Sequence, residues 1–219
     1  MKKSLLLLVA LFVLVLSQSC KKDKEDTNDT TIGGDPSPMA AVGTTVNSSM
    51  VPISGLSQLN ATVTTVSGGV SSYSGSGIVT NAAIKNILAS FPGITVDGDT
   101  VKATGFKFKQ TLEGIESQVG MGPGIIAKYS SSVGDTYPVG STGRTRTVVS
   151  KSTEDDYSYW PYMIKVMKIE EPTPGLKSTG LSKMTYWANH KFGLVAVQYD
   201  FTDGTSLNLP VFCSTLNGK

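Results

Sequence analysis

The sequence is poor in the residues that enzymes most often use for proton transfer and metal binding. It has one histidine, His190, and two cysteines, Cys20 and Cys213, among 219 residues. A zinc centre of the His/Cys type needs three or four such ligands, and a catalytic histidine needs an acid or a nucleophile beside it. We therefore expect no metal site, no cofactor and no histidine-based catalysis. His190 is expected to lie in a turn between two strands.

The first twenty residues have the three parts of a secretory signal. Two lysines after Met1 are followed by an apolar run over residues 5–16, and then by small residues that end at Ser19. An apolar run of about a dozen residues is too short to span a bilayer, which needs roughly 20. The sequence therefore predicts a signal peptide over residues 1–19, with cleavage before Cys20.

A cysteine placed directly after the cleavage site resembles the lipobox of bacterial lipoproteins, and the resemblance covers residues 1–26. It implies acylation of Cys20 and a lipid anchor in the outer membrane of the cell envelope. The charged string at residues 21–26 also resembles the export tag of surface lipoproteins of gliding and gut Gram-negative bacteria. Surface and periplasmic display both remain open.

An ordinary secretory signal is the alternative, because Ser17-x-Ser19 is also a small-x-small cleavage site. The two alternatives differ in cysteine chemistry. If Cys20 is acylated, Cys213 has no partner for an intramolecular disulfide; if Cys20 is free, a bridge between the two is conceivable.

Charge and catalytic motifs narrow the function classes further. Without the two lysines of the signal, 17 basic residues balance 17 acidic ones, which argues against nucleic acid as a partner. The sequence has neither a Gly-x-Ser-x-Gly elbow nor a phosphate-binding loop. We predict no catalytic residue, and the oligomeric state is left open.

The mature chain divides into a tether and one domain. Residues 20–42 are rich in Lys, Asp, Thr, Asn, Gly and Pro and have little apolar content, so a disordered tether is expected. Residues 43–219 are predicted to form a single β-rich domain, which is long enough to bury a core.

One helix is predicted, near residues 81–90. Asn81 can cap it, its apolar side chains recur on one face, and Phe91-Pro92-Gly93 ends it. The rest of the domain has the residue alternation of strands. The predicted fold class is mainly β, or α+β, with an antiparallel sheet, a sandwich or a half-open barrel and one short helix.

Several strands and turns are specific enough to test. Residues 94–96 and the chain from Thr100 onward are expected to form a hairpin, residues 162–170 one central strand, and residues 74–77 a turn. The alternation of apolar and polar residues over residues 183–212 predicts a meander of three strands. Its last two strands, residues 192–212, resemble the curved antiparallel sheets of periplasmic lipoprotein carriers, which implies a half-open barrel that holds a lipid or another apolar ligand.

One segment combines acidic and aromatic side chains in the way that sugar-binding sites do. Aromatic faces stack on sugar rings while carboxylates bind hydroxyl groups, and the acids alone could bind Ca²⁺. The structural alternative is a polar turn beside core aromatics. The candidate ligand-binding residues are Glu154, Asp155, Asp156, Tyr157, Tyr159 and Trp160.

Three functions are therefore considered. The first is a lipid-anchored, non-catalytic binding or structural module, with a glycan or another envelope component as partner. The second is a carrier-like sheet with an apolar ligand. The third is a hydrolase whose two carboxylates meet only in the folded chain. An apolar concavity would favour the second function, and exposed aromatic rings near Trp160 would favour the first.

Overall fold

A computed structural model describes residues 30–48, 53–174 and 180–215. The predicted signal peptide, Cys20 and residues 20–29 of the predicted tether lie outside the described residues. The helices are a 3₁₀ turn at Pro38–Ala40 and α1 at Ala82–Ala89. The strands are β1 (Thr45–Asn47), β2 (Leu56–Ser67), β3 (Val70–Val79), β4 (Ile94–Asp97), β5 (Thr100–Gln110), β6 (Gly114–Val119), β7 (Gly124–Lys128), β8 (Thr136–Pro138), β9 (Thr145–Lys151), β10 (Tyr157–Tyr159), β11 (Tyr162–Ile164), β12 (Met167–Pro172), β13 (Leu181–Asn189), β14 (Gly193–Phe201), β15 (Ser206–Pro210) and β16 (Phe212–Ser214).

The strands form two antiparallel sheets that face each other. The large sheet has the order β16-β1-β2-β3-β5-β6-β7, with β4 also paired to β5. The small sheet has the order β15-β14-β13-β12-β9-β8, and β10 and β11 form a separate hairpin. The predicted mainly β, antiparallel fold with one short helix is confirmed.

The two sheets approach each other at both edges. At one edge β7 contacts β8. At the other edge the chain leaves β15 and enters β16 through Val211, whose N–H donates to the carbonyl of Val195 at 2.8 Å. The result is a curled, flattened half-barrel whose interior is bounded by both sheets.

One half of the interior is filled by large side chains. It lies between β6 and β7 of the large sheet and β9, β12 and β13 of the small sheet. We call it the packed half; its most deeply buried apolar side chains include Ile115, Ile125, Ile126, Val148, Ile169, Met184 and Tyr186. Buried apolar area of this kind is the main source of folding free energy.

A buried arginine crosses the packed half. Arg146 is 0% exposed, and its Nε donates to Glu171 Oε2 at 2.8 Å. Its other four N–H groups donate to the carbonyls of residues 121, 122, 124 and 125 at distances of 2.7–3.1 Å. All five donors of the guanidinium are therefore used, and the loop before β7 is wrapped around it.

Glu171 is held by two further groups. The hydroxyl of Tyr186 donates to Oε2 at 2.7 Å, and Arg144 Nη1 lies 2.8 Å from Oε1. Burial raises the pKa of Tyr186 well above its ordinary value, so the phenol remains a donor. Glu171 is therefore a buried structural carboxylate, whereas its neighbour Glu170 keeps part of its side chain accessible.

The predicted helix and its ends are confirmed. Asn81 Oδ1 accepts from the N–H of Ile84 at 3.1 Å, and α1 ends at Ala89 before Phe91-Pro92-Gly93. Gly93 has φ +80°, and a Cβ there would lie 2.2 Å from the carbonyl oxygen of Thr104. The glycine therefore permits both the turn and the close approach to β5.

The expectation of a disordered tether through residue 42 does not hold for residues 32–40. Ile32 is 2% exposed, its N–H donates to Glu116 Oε2 at 3.0 Å, and its carbonyl accepts from Lys109 Nζ at 2.5 Å. Further on, Ser37 N–H donates to the carbonyl of Gln110. Two buried apolar residues, Ile32 and Ala40, and hydrogen bonds to backbone groups of the segment dock this otherwise polar stretch, and composition does not reveal them.

Two strand predictions are wrong in detail. Residues 162–170 are split into β11 and β12, because β11 pairs with β10 in the separate hairpin whereas β12 pairs with β9 and β13. Residues 74–77 belong to β3 instead of a turn. Their glycines serve close packing: a Cβ on Gly77 would lie 2.2 Å from Leu59 Cδ2.

The predicted C-terminal meander is confirmed as β13, β14 and β15, with one change at its end. The third strand stops at Pro210, and after Val211 residues 212–214 join the large sheet as β16, paired to β1. The hairpin of β4 and β5 is also confirmed.

Candidate functional site

The other half of the interior holds an open apolar cleft between the two sheets. Its volume is about 280 Å³. We call this space the cleft. Its lining comes from β1, β2, β3, β5, β6, β14 and the chain around β15 and β16: Val46, Ser48, Ala61, Tyr73, Gly75, Ala103, Phe106, Phe108, Gln110, Ile115, Met121, Leu194, Val197, Tyr199, Leu209, Val211 and Cys213.

A row of small residues crosses the large sheet and forms the floor of the cleft. Directly paired neighbours share one face of a sheet, and Val46 pairs with both Cys213 and Ala61. Gly75 in turn pairs with both Ala61 and Ala103. Five adjacent strands thus present a floor with few side-chain atoms, and the space above it remains unfilled.

Gly75 is the one residue of this row without a side chain. A Cβ built there would lie 2.3 Å from the carbonyl oxygen of Asn60 and 2.7 Å from Ala61 Cβ. No side chain fits without moving the backbone of β2. The sheet geometry itself therefore requires the glycine, and the glycine leaves room in the cleft.

The accessible surfaces of Tyr199 and Cys213 show that the cleft reaches deep into the molecule. Burial raises the pKa of the Cys213 thiol to about 12. Burial, helped by the nearby negative charge of Glu171, also raises the pKa of Tyr199 to about 12. Both side chains nevertheless keep part of their surface accessible. A group that lies deep and remains accessible has empty space beside it, which here is the cleft.

One polar pair interrupts the apolar wall. Gln110 Nε2 donates to the hydroxyl of Tyr73 at 2.7 Å. Gln110 is 8% exposed, and its Oε1 has no hydrogen-bond partner among the described residues. Tyr73 packs edge-on against Phe108, with ring centroids 5.5 Å apart. The pair is held in place by its surroundings, and its hydrogen-bonding capacity is only partly used.

The cleft continues into a smaller recess below α1. The recess has a volume of about 210 Å³ and shares the floor residues Ala61, Gly75 and Ala103 with the cleft. Its far end is formed by Leu88 of α1 with Val79, Val101 and Ile94. The two spaces together reach the lower part of the roughly 300–1,000 Å³ range of small-molecule sites.

The hairpin of β10 and β11 carries the ligand site predicted from the sequence. Trp160 and Pro161, joined by a cis peptide bond, form its turn. Trp160 is 69% exposed and Tyr162 is 61% exposed, whereas Tyr159 is 6% exposed and Tyr157 is half-buried. Only part of the predicted aromatic row therefore faces solvent.

The buried part of this row is structural. The Tyr159 ring lies 5.0 Å from the rings of both Phe192 and Phe212. Its hydroxyl donates to the carbonyl of Val211 at 3.0 Å and accepts from the N–H of Cys213 at 3.2 Å. Tyr159 thus fixes the point at which the chain crosses from one sheet to the other.

The exposed part borders a surface recess of about 520 Å³. The Tyr162 ring stacks near the Phe192 ring at 6.5 Å, and Asp155, Asn189 and Lys191 supply polar groups around it. We call this space the hairpin recess. Its mixture of an exposed ring and polar groups suits a hydroxylated ligand.

The three candidate acids lie exposed in the chain before β10. Glu154, Asp155 and Asp156 extend into solvent, and within the described ranges no three His, Cys, Asp or Glu side chains gather as metal ligands. The two buried glutamates, Glu116 and Glu171, are occupied by structural partners. Neither the calcium site nor the hydrolase gains support from these positions.

Sequence reasoning missed the residues that make the cleft. Ala61, Gly75 and Ala103 sit on three different strands and become neighbours only through strand pairing. The one available signal was the occurrence of alanine and glycine at inward positions of strands, where larger residues are usual.

Comparison of the chain with protein-family models, curated proteins and solved structures finds no match. Across the described residues no helix is both long enough and apolar enough to cross a membrane. Function is therefore inferred from the geometry of this chain.

Proposed function

We propose that this protein is a non-catalytic binding protein of the cell envelope that holds an apolar ligand in the cleft. The observation that supports the proposal most directly is the floor of small residues, Cys213-Val46-Ala61-Gly75-Ala103, which keeps the space between two otherwise packed sheets empty. Apolar cavities exclude water and accept apolar molecules.

The proposal includes a lipid anchor at Cys20. Ile32 is the first deeply buried residue of the described chain and lies 12 positions after Cys20. Even a fully extended chain of that length spans only about 40 Å. An acyl group on Cys20 would therefore keep the cleft close to the bilayer, where apolar ligands are concentrated.

Uptake of an apolar dye tests the binding proposal. N-phenyl-1-naphthylamine should gain fluorescence when added to the purified protein and should saturate at one equivalent. Ala61→Leu fills the cleft and should abolish the gain. Ala82→Leu makes the same change at the exposed start of α1 and should bind the dye as the wild type does. A wild type that gives no signal, or an Ala61→Leu variant that gives the full signal, would refute the proposal.

Metabolic labelling with a fatty acid tests the anchor separately. The wild-type chain should incorporate the label, and Cys20→Ala should not. Equal labelling of the two would leave an ordinary secreted protein with the same cleft.

A glycan site at the hairpin recess is the second candidate. It is supported by the exposed ring of Tyr162 beside the polar groups of Asp155 and Lys191. Soluble N-acetylglucosamine oligomers should bind the wild type in isothermal titration calorimetry and lose affinity at least tenfold in Tyr162→Ala. The control is Val133→Ala, which shortens another exposed apolar side chain. Binding that is unchanged in Tyr162→Ala would exclude this site.

A further inference from the structure

The described residues that line the cleft and the recess below α1 carry no charge at neutral pH. Among the described residues that line either space, none is Asp, Glu, Lys, Arg or His. The nearest lysines of β5 belong to the opposite face: Lys107 is exposed, and Lys109 Nζ is engaged by the carbonyl of Ile32 at 2.5 Å. A charged group placed in the cleft would be buried without a partner, which is strongly unfavourable.

The polar pair at one end of the cleft offers a neutral hydrogen-bonding point. The Tyr73 hydroxyl accepts from Gln110 Nε2, and within the described residues its own proton finds no acceptor. Burial raises the pKa of Tyr73, so the hydroxyl keeps that proton. A ligand oxygen beside Tyr73 would supply the missing acceptor, and a ligand hydroxyl would do so without bringing in charge.

The recess is also lined by Ser48, Asn60 and Ser76, but the residues beneath the helix are apolar. Where the recess ends under α1, its walls are Leu88, Ile94, Val79 and Val101. The connected space therefore runs from a neutral hydrogen-bonding point to an apolar end. The difference in polarity between the two ends determines which groups a bound molecule needs and which way round it lies.

We infer that the cleft selects an uncharged ligand with one hydroxyl group and an unbranched apolar tail, the hydroxyl meeting Tyr73 and the tail extending below α1. The inference rests on the proposed function and narrows it to neutral lipids of the long-chain alcohol type. Ionised fatty acids and phospholipid headgroups are excluded by the missing countercharge.

Competition against N-phenyl-1-naphthylamine at pH 8 tests the headgroup. Dodecanol, dodecane and dodecanoate share a chain length and differ only at one end. Dodecanol should displace the dye at a concentration at least tenfold lower than dodecanoate. Dodecanoate that binds as tightly as dodecanol would overturn the inference while leaving the apolar cleft in place. Failure of all three ligands and of the dye would overturn the proposed function as well.

The variant Tyr73→Phe tests whether the ligand hydroxyl contacts the hydroxyl of Tyr73. One neutral hydrogen bond contributes about 0.5–1.5 kcal/mol, so dodecanol affinity should fall roughly two- to tenfold. Dodecane affinity should not change. Tyr137→Phe removes a hydroxyl that bonds Ser131 outside the cleft and should leave both ligands unaffected. An equal loss for dodecanol and dodecane would indicate altered packing and would refute the assigned contact.

Leu88→Phe tests the direction of the tail. The larger ring shortens the recess below α1, so dodecanol affinity should fall while hexanol affinity stays at the wild-type value. This comparison does not depend on Tyr73→Phe being well folded. Equal affinities of Leu88→Phe and wild type for dodecanol would show that the tail lies elsewhere and would overturn the stated direction.

Discussion

The packed half and the cleft lie between the same two sheets, yet one is filled and the other is empty. In the packed half, facing positions carry Ile115, Ile125, Ile169 and Tyr186. At the cleft, the large sheet presents a floor with Ala61, Gly75 and Ala103 at its centre instead. Backbone architecture is alike in the two halves, so side-chain volume at inward positions decides whether the sheets enclose a core or a cavity.

The two halves of the interior therefore have different roles. The packed half supplies buried area and a fully bonded arginine, and these hold the two sheets together on that side of the interior. The cleft half can therefore remain open. An empty cavity lacks the van der Waals contacts of a filled core. A protein that must stay folded with or without a ligand therefore needs a packed region elsewhere to supply that stabilisation.

The largest expected effect comes from breaking the network in the packed half. Arg146→Met leaves Glu171 buried without its main partner, and removal of one member of a buried pair costs roughly 3–5 kcal/mol. Urea denaturation followed by circular dichroism measures the loss. Lys151→Met removes a lysine that bonds two backbone carbonyls near the surface and should cost less than half as much. Similar costs for both would mean that Arg146 is not specially important.

The same substitution made in each half compares them directly. Ala127 is fully buried in the packed half, and Ala127→Leu should destabilise by about 1–3 kcal/mol through overpacking. Ala61→Leu places its added carbons in the cleft and should be neutral or should stabilise by up to about 2 kcal/mol. Thermal or urea unfolding of both variants checks the sign. Equal destabilisation by both would show that the cleft has no room for a side chain.

Tyr159 and Trp160 are neighbouring aromatic residues of the hairpin, and their substitution should destabilise the fold to different extents. Tyr159→Phe removes both hydrogen bonds at the sheet crossing and should cost about 1–3 kcal/mol, since a buried group is left unsatisfied. Trp160→Ala changes an exposed ring and should stay within about 0.5 kcal/mol. A large loss of stability in Trp160→Ala would show that the ring supports the fold.

The smallest effect concerns Glu170, which neighbours Glu171 on β12 but is half-buried. Burial alone would raise the pKa of Glu170, but hydrogen bonds and charges from Lys168 and Lys183, at 3.0 and 3.4 Å, outweigh it and hold the pKa below its ordinary value. A lowered pKa stabilises the folded state above the unfolded-state pKa, and the gain is lost as pH falls through the folded-state pKa.

Glu170→Gln should therefore cost about 0.2–1 kcal/mol at pH 7, as exposed ion pairs do. The difference from wild type should disappear in acid, once the native carboxyl is protonated. Urea midpoints measured from pH 7 to pH 3 follow this change. A difference that grows as the pH falls would contradict the stated direction of the shift.

The fold was largely predictable because its signals are local. Asn81 and the Phe91-Pro92-Gly93 stop delimit α1, and alternation with a turn at Asp203-Gly204 identifies the meander. Residues 74–77 were misassigned because glycine serves both turns and close strand packing. Docking of Ile32 was missed because its partners, Glu116 and Lys109, lie far along the chain.

The candidate sites were predictable to different degrees. The hairpin recess carries consecutive aromatic and acidic residues, so the segment was found, although burial of Tyr159 could not be seen. The cleft depends on strand register across five strands, which no single segment encodes. The Arg146–Glu171 pair joins residues on two strands and leaves no pattern in either one.

The pairing of β1 with β16 has a consequence for how the molecule comes into being. The hydroxyls of Thr45 and Ser214 lie 3.0 Å apart, although 169 positions separate them in the sequence. Contacts between such distant parts of a chain form slowly, because a long loop must close first. The cleft therefore acquires its last floor strand only when residues 212–214 are available to pair with β1, so the cavity is among the last parts of the fold to form.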